Sequence, residues 1–186
     1  MKVAYRNANR SKKMIQDAFL QLIIKKDISK IKTTEVIELA DISKGTFYAH
    51  YTCLYDVQQE IEDREIALMF RVFEINTELS ENFYPLFLCG LSEMERNREL
   101  YRILFCHSNG NSFLNKVKNT FFTHMKACNS SKKKPYDSKA MDTYLIYVAG
   151  GAIAVIQNWL ESLEYIPPQQ VARQISDFAL NGMKCL

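Results

Sequence analysis

A run of small and hydrogen-bonding side chains at positions 43–51 is the part of this sequence best suited to a specific chemistry. Ser43 is a favoured N-cap residue, and its hydroxyl can accept from the backbone N–H of Thr46. In a helix that begins there, the face opposite Phe47 and its flanks consist of Lys44, Gly45, Tyr48, Ala49 and His50. This face is slim, carries hydrogen-bond donors and has no acidic group that would repel phosphates. Such a surface is typical of a helix that enters the major groove of DNA.

The segment before this helix has the pattern of a partner helix followed by a tight turn. Its apolar residues recur at helical spacing: Val36, Ile37 and Ala40. Asp41-Ile42 then fits a short corner between two helices. In the second helix, Phe47 and Tyr51 are four positions apart and share the face that packs inward. Positions 33–51 therefore predict a helix-turn-helix.

The rest of the chain has the periodicity of helices rather than strands. Only 6 Gly and 4 Pro stand in 186 residues, which leaves little punctuation for the turns between strands. The segments with helical periodicity are Ser11–Lys26, Tyr55 to about Ile75, 81–107 with breaks near Pro85 and around Arg96–Arg98, Ser112–Cys128, Ser138–Leu163 and Pro168–Met183. Together with the helix-turn-helix, they predict an all-α protein of about nine helices without a convincing strand.

Charge is distributed unevenly along the chain. The net charge is +3, but residues 1–54 carry 10 Lys/Arg against 5 Asp/Glu, whereas residues 55–186 carry 14 against 16. An apolar fraction of 47% excludes a chain that is mainly disordered. The basic amino-terminal third favours a polyanionic partner that binds at the front of the chain, although an ordinary solvated surface would have the same charge.

Cysteine usage and hydropathy indicate a reduced, cytoplasmic protein. The chain has 5 cysteines, no Cys-x-x-Cys pair, and no signal-peptide pattern in its first residues. The uncharged stretch Thr143–Leu160 contains a continuous apolar run, Tyr144–Ile156, which is too short to span a membrane and predicts a buried helix. Cys106, His107 and His124 do not form a metal signature, and no nucleophile–base spacing or phosphate loop is present. The sequence therefore predicts no enzyme activity, no metal, no cofactor and no membrane partner.

Positions 31–56 resemble the DNA-binding head of the TetR family of bacterial one-component transcriptional regulators. The resemblance is strongest at Ser43–Tyr51 and continues through Tyr55–Val57. It implies an all-α homodimer in which residues 1–54 form a helix-turn-helix DNA-binding domain. Residues 55–186 would form a helical body for dimerisation and ligand binding. The resemblance also implies a transcriptional regulator, in the first instance a repressor, that binds double-stranded operator DNA and responds to a small-molecule effector.

The family motif implies a role for each matching residue of the helix-turn-helix. Thr33 and Thr34 would begin the helix that crosses the DNA backbone and would donate to a phosphate. Lys44 and Thr46 would approach bases or nearby phosphates at the start of the recognition helix. Gly45 would let that helix come close to the groove, at a helix-propensity cost of up to about 1 kcal/mol relative to Ala.

Two further residues match the motif and two depart from it. Tyr48 and His50 would donate to phosphates. Asp41 stands where the family usually has glycine, and Leu54 stands where it usually has a lysine that meets a phosphate. Both departures weaken DNA affinity through unfavourable or missing charge. They keep open an alternative from another class, in which the chain is a helix-bundle co-regulator that acts through a protein partner and has weak or no DNA binding of its own.

Gly150 and Gly151 lie inside an otherwise strong helix. Two glycines there cost roughly 2 kcal/mol in helix propensity, so a compensating contact is expected. Close approach of a second helix is the simplest explanation, and with the final helix it would form the four-helix dimer interface that the resemblance implies. The alternative is close packing within one chain.

Overall fold

The computed structural model describes residues 2–71, 73, 82–107, 111–130 and 137–183. Nine α-helices and no strand occur within these ranges, in agreement with the all-α prediction. The helices are α1 (Lys2–Ile23), α2 (Thr33–Leu39), α3 (Lys44–Tyr48), α4 (Leu54–Phe70), α5 (Tyr84–Arg96), α6 (Arg98–Arg102), α7 (Asn111–Ser130), α8 (Ser138–Glu161) and α9 (Pro168–Met183). A 3-10 turn covers Ile28–Lys30, and a π-helical turn covers Ile103–His107.

The predicted helix boundaries agree with the structure to within three residues, except at the start of the first helix and at the end of the fourth. Helix α1 begins at Lys2 rather than at Ser11, because no glycine or proline interrupts the chain before Ile23 even though the apolar stripe starts later. Helix α4 ends at Phe70, and the rest of the segment predicted to reach Ile75 lies outside the described residues apart from Arg71 and Phe73. The break predicted around Arg96–Arg98 is present at Asn97.

The chain divides into two compact units: the first comprises the residues up to Glu65 together with His107, and the second comprises the other described residues from Ile66 onward. We call residues 2–65 the head and the described residues 66–106 and 111–183 the body. The predicted domain division after residue 54 stays a prediction, since α4 begins there and contributes residues to both units.

The head is built around one apolar core. Helix α1 contributes residues at helical spacing to it, and α2, α3 and the first turns of α4 close it from the other sides. Its buried residues are Ile15, Ala18, Phe19, Ile31, Val36, Ala40, Phe47, Tyr51, Val57 and Ile61. Because this core is formed by the inward faces of α2 and α3, their opposite faces are left at the surface of the head.

The body is a bundle in which α5 packs mainly along α9, and α8 packs against α6, α7 and α9. Polar contacts fix the ends of α8: the Tyr144 hydroxyl donates to the Ala179 carbonyl over 2.9 Å, and the Trp159 indole N–H donates to the Ile166 carbonyl over 2.8 Å. The Arg98 guanidinium lies 4.4 Å from the centroid of the same indole.

An aromatic stack inside the body contains a histidine. The ring of His124 lies parallel to that of Phe73, with centroids 4.2 Å apart, and it also stacks on Phe70. Burial among these rings lowers the pKa of His124 because the charged imidazolium loses hydration there.

Helix α8 is long and apolar enough to cross a membrane by length and composition. Nine of its residues are buried against the rest of the body, among them Leu145 and Trp159. The buried positions recur at helical spacing, which is the pattern of a core helix with one free side.

Candidate nucleic-acid interface

Helix α2 begins at Thr33 in a position fixed by a carboxylate. Glu35 Oε2 accepts from the backbone N–H of Lys32 over 2.8 Å, and Glu35 Oε1 is 2.5 Å from Lys26 Nζ. The Lys26 ammonium and the Lys32 amide hold the pKa of Glu35 below its usual range. Thr33 is half-buried and Thr34 is exposed, so the hydroxyls of both lie at the start of the helix within reach of a ligand at the surface.

The corner between α2 and α3 depends on a left-handed residue. Asp41 has φ of 50°, the only positive φ of a non-glycine residue within the described chain. The backbone N–H of Ile42 donates to the Ile37 carbonyl over 3.2 Å and closes the corner. A left-handed backbone favours glycine, and Asp is among the few other residues that tolerate it. The structure thus gives the family's glycine position the conformation that glycine would adopt.

Helix α3 begins at the predicted cap. Ser43 Oγ accepts from the backbone N–H of Thr46 over 3.0 Å, and the two side-chain hydroxyls are 2.8 Å apart. Phe47 is fully buried and Tyr51 is 5% exposed, so both core assignments are confirmed. The cap and these two aromatic residues fix the rotation of α3 about its own axis.

The remaining residues singled out in α3 lie at the surface. Lys44, Gly45 and Tyr48 are exposed, and Thr46 and His50 are half-buried. The side chain of Tyr48 is 51% exposed and makes an edge contact with the Phe47 ring, with centroids 5.3 Å apart. Among the residues that the structure describes, Lys44 has no ion-pair partner. Helix α3 therefore presents an ammonium and a phenol at the surface, with the Thr46 hydroxyl beside them and the His50 imidazole just beyond the end of the helix.

Gly45 has room for a side chain as far as the protein itself is concerned. An added Cβ would lie 3.7 Å from Ser43 Oγ, an ordinary contact distance. Its backbone is not in the left-handed region either. Neither packing against the described residues nor backbone conformation requires glycine at this position.

A polar network that the sequence did not reveal joins α3 to α1 and α4. Gln16 is 7% exposed; its Nε2 donates to the Tyr51 hydroxyl over 2.9 Å, and its Oε1 accepts from Arg64 NH1 over 2.7 Å. Arg64 also contacts the buried Glu65 carboxylate. Burial raises the pKa of Tyr51 to about 12, so its hydroxyl is protonated and can donate or accept.

His50 is held at the end of α3 by a second contact with α1. The Ser11 hydroxyl is 2.9 Å from His50 Nε2. The imidazole thus has a fixed position at the edge of the α3 surface, next to the buried Tyr51.

The start of α4 is occupied by its own carboxylate. Asp56 Oδ2 accepts from the backbone N–H groups of Thr52 and Cys53 over 2.8 and 3.2 Å, and these amides hold the pKa of Asp56 below its usual range. Leu54 is half-buried and packs against the head core. Leu54 therefore places no cation at this end of α4, in contrast to the cationic residue that the family motif has there.

Two features of the body bear on function. A half-enclosed cavity of about 60 Å³ lies between α4, α5, α7 and α8, with walls that include Met69, Phe87, Met94, Phe121, Ala152 and Ile156. Independently, one side of α8 is exposed: Ile146 is 62% and Tyr147 71% exposed. Gly150 and Gly151 lie on this side, and a Cβ added at either would meet no atom within 4 Å. Close packing within the described chain therefore does not explain these glycines.

Comparisons with known proteins agree with this architecture. A family model described as the C-terminal region of a transcriptional regulator, TetR_C_8, matches residues 81–181. No curated protein sequence matches the chain.

Solved structures resemble the whole chain. A TetR transcriptional regulator from Streptococcus agalactiae 2603V is 19% identical, with a TM-score of 0.75 over 96% of this chain and 98% of that one. The dihydroxyacetone kinase operon activator DhaS is 16% identical, with a TM-score of 0.67 over 95% and 97%. A putative TetR-family regulator from Syntrophomonas wolfei str. Goettingen is 14% identical, with a TM-score of 0.68 over 96% and 97%. At these identities the likeness establishes a shared fold.

Proposed function

The chain belongs to the TetR family of transcriptional regulators, which are non-enzymatic transcription factors, and from this premise we propose that it is a cytoplasmic repressor that binds operator DNA as a homodimer. A small-molecule effector bound in the body would change its affinity for the operator. A coupling free energy of about 1–3 kcal/mol between the two sites is sufficient for such a response.

The observation that carries the proposal is the arrangement of α3. Its buried aromatic residues leave Lys44, Gly45 and Tyr48 exposed, and nothing inside the protein requires glycine at position 45. We assign to Lys44 and Thr46 contacts with bases or nearby phosphates, because these residues stand at the start of the helix. Donors at such a position can reach both the base edges and the backbone of a duplex.

The other proposed contacts surround this helix. Thr33 and Thr34 would donate to a phosphate from the start of α2, and Tyr48 and His50 would donate to phosphates from the far side of α3. Ser11 supports the orientation of His50 by its contact with Nε2. These contacts would position the head, whereas the residues at the start of α3 would distinguish sequences.

The exposed side of α8 supports a homodimer. This side has two glycines at which an added Cβ would meet no atom of the described residues, together with exposed Ile146 and Tyr147. Helix α9 adds Phe178, which is 66% exposed. Close approach of the same helix from a second copy would bury these side chains and use the space above the glycines. A two-fold dimer would present two α3 helices to half-sites about 34–36 Å apart, one turn of DNA.

Selection from random duplexes tests the DNA-binding proposal directly. We expect the full chain to enrich an inverted repeat and to bind it with an affinity that falls steeply with salt. Lys44→Ala should weaken binding and reduce the slope of log K against log salt by about 1, without lowering the melting temperature. Lys25→Ala, which removes an exposed lysine that the motif does not use, is the matched control. Equal losses in both variants would remove Lys44 from the interface.

The co-regulator alternative is favoured by the charge pattern at two positions. Asp41 places an exposed carboxylate at the corner, and Leu54 packs inward where a cation is expected. If this alternative is right, selection will enrich no sequence at physiological salt, and a stable protein complex will be recovered instead.

Transcription of the neighbouring genes in a deletion strain gives the sign of regulation, which we propose to be repression.

A further inference from the structure

The walls of the cavity in the body are almost entirely apolar. Lys118 on α7 is the only residue of its described lining with a polar side chain; the others are aliphatic, aromatic, methionine or glycine. We propose that the cavity binds a small aliphatic carboxylate, with the alkyl chain inside and the carboxylate paired with the Lys118 ammonium. This inference rests on the proposed function, because it names the chemical class of the effector.

The first argument is the state of Lys118. Its side chain is half-buried at the cavity, and among the described residues no carboxylate forms an ion pair with it. By contrast, Lys126 on the same helix lies 2.7 Å from Asp142. Lysines cover apolar surface with their methylene stems and keep the ammonium at the edge. Because the walls are almost entirely apolar, Lys118 contributes its methylene stem to the cavity and its ammonium lies outside the walls. A ligand whose alkyl chain fills this half-open cavity and whose anionic end reaches out of it would pair with that ammonium.

The second argument concerns what the lining rejects. A cationic amphiphile would meet the ammonium of Lys118 and no acidic residue of the described lining. A sugar or another polyol would bury hydroxyl groups without partners, which costs free energy for each unpaired group. A neutral alkane would fit the walls but would gain nothing from the cation, and an alcohol would gain a hydrogen bond without the opposite charge. An alkyl carboxylate satisfies both parts of the site.

The third argument concerns size. The cavity of about 60 Å³ is well below the roughly 300–1,000 Å³ that drug-sized ligands occupy. Met69 and Met94 line it, and methionine side chains change rotamer readily to accommodate a guest. A short or branched alkyl chain therefore fits better than a long fatty acid or a polycyclic compound.

Titration calorimetry and thermal-shift measurements on the full chain, without DNA, test the assignment. The probes are hexanoate, hexanol and hexylamine, which share one alkyl chain, with butyrate and octanoate to define the length. We expect hexanoate to bind about tenfold more tightly than hexanol, as a charge-assisted contact predicts, and hexylamine to bind most weakly. Equal affinity for the three probes, or no binding of hexanoate, overturns the proposal.

Variants separate the charge from the cavity. Lys118→Met should remove the preference for hexanoate over hexanol while leaving hexanol binding intact, and Lys126→Met should keep the preference. At Gly90 an added Cβ would lie 3.7 Å from the Met69 carbonyl, so Gly90→Ala should fold and narrow the cavity, and it should weaken hexanoate and hexanol alike. A preference that survives in Lys118→Met refutes the pairing.

The outcomes for the cavity and for DNA binding are independent. Selective hexanoate binding by a chain that enriches no duplex would support the ligand class and refute the DNA-binding proposal. Sequence-selective DNA binding by a chain that binds none of the probes would support the DNA-binding proposal and refute the ligand class. If both hold, hexanoate should also shift the operator affinity, and Lys118→Met should abolish that shift.

Discussion

The double variant Gly150→Ala/Gly151→Ala gives the sharpest test of how two copies of the chain associate. In a single copy, no atom of the described residues lies within 4 Å of the place that either new Cβ would occupy. Alanine is the better helix former, so the substitutions should stabilise α8 in a single copy. If a second copy lies close above the glycines, the same methyl groups must instead push the two helices apart. The two effects have opposite signs and are measured separately.

The size of each effect follows from its cause. Gly→Ala in an exposed helix interior gains about 1 kcal/mol, hence about 2 kcal/mol for the pair. For a chain of this length, 1 kcal/mol shifts the melting temperature by roughly 2–4 °C, so the dissociated chain should melt about 4–8 °C higher. In the dimer, overpacking of a close helix contact costs about 1–3 kcal/mol, which raises the dimer dissociation constant by roughly 5- to 150-fold.

Sedimentation equilibrium over a concentration series measures the dissociation constant, and thermal unfolding at low concentration measures the stability of the single copy. Gly90→Ala is the matched control: it makes the same change on α5, where the new Cβ has ordinary contact distances of 3.7 and 4.0 Å to Met69. The control should leave dimerisation unchanged. A higher melting temperature in the double variant with an unaltered dissociation constant would refute the placement of the interface on this side of α8.

Three further predictions concern single residues. Asp41→Asn keeps a residue that tolerates φ of 50° and removes a negative charge. The free energy of unfolding should therefore stay within about 0.5 kcal/mol of its original value, while DNA affinity rises. Asp41→Val should destabilise the head by roughly 1–3 kcal/mol in denaturant titrations, because valine is strained at this φ. Gln16→Leu leaves Tyr51 and Arg64 without their shared partner and should cost about 1–3 kcal/mol, and no measurable loss would contradict the network. Burial lowers the folded-state pKa of His124 below 6.5, so the unfolded chain takes up the proton first as pH falls. Stability should therefore decline from about pH 7 to pH 5, and His124→Phe should flatten that decline; an unchanged pH profile would count against it.

The local features of the head could be predicted from the sequence because they depend on near neighbours. The Ser43 cap needs only a hydroxyl three positions before an amide, and the inward face of α3 needs only Phe47 and Tyr51 four positions apart. The break at Asn97 is predictable for a similar reason. Each of these features follows from the repeat of one helix.

Contacts between distant segments could not be predicted from spacing. Gln16 lies between apolar positions of α1 and meets partners 35 and 48 positions away, which no periodicity indicates. Lys118 follows Val117 on α7, but its apolar surroundings come from three other helices. The π-helical turn at Ile103–His107 contains no glycine or proline from which it could be predicted. Nothing in a single sequence tells which of many polar residues will be brought together.

The bridging amide of Gln16 has a consequence for genetics. The Gln16 side chain bonds both the Tyr51 phenol and the Arg64 guanidinium, so three separate codons specify one hydrogen-bond network. If the chain binds an operator as proposed, a screen for altered operator occupancy should return alleles at Arg64, although that codon encodes no part of α2 or α3. Second-site suppressors of such alleles are expected at Gln16 or Tyr51, and the double mutants should be far less impaired than independent defects would make them.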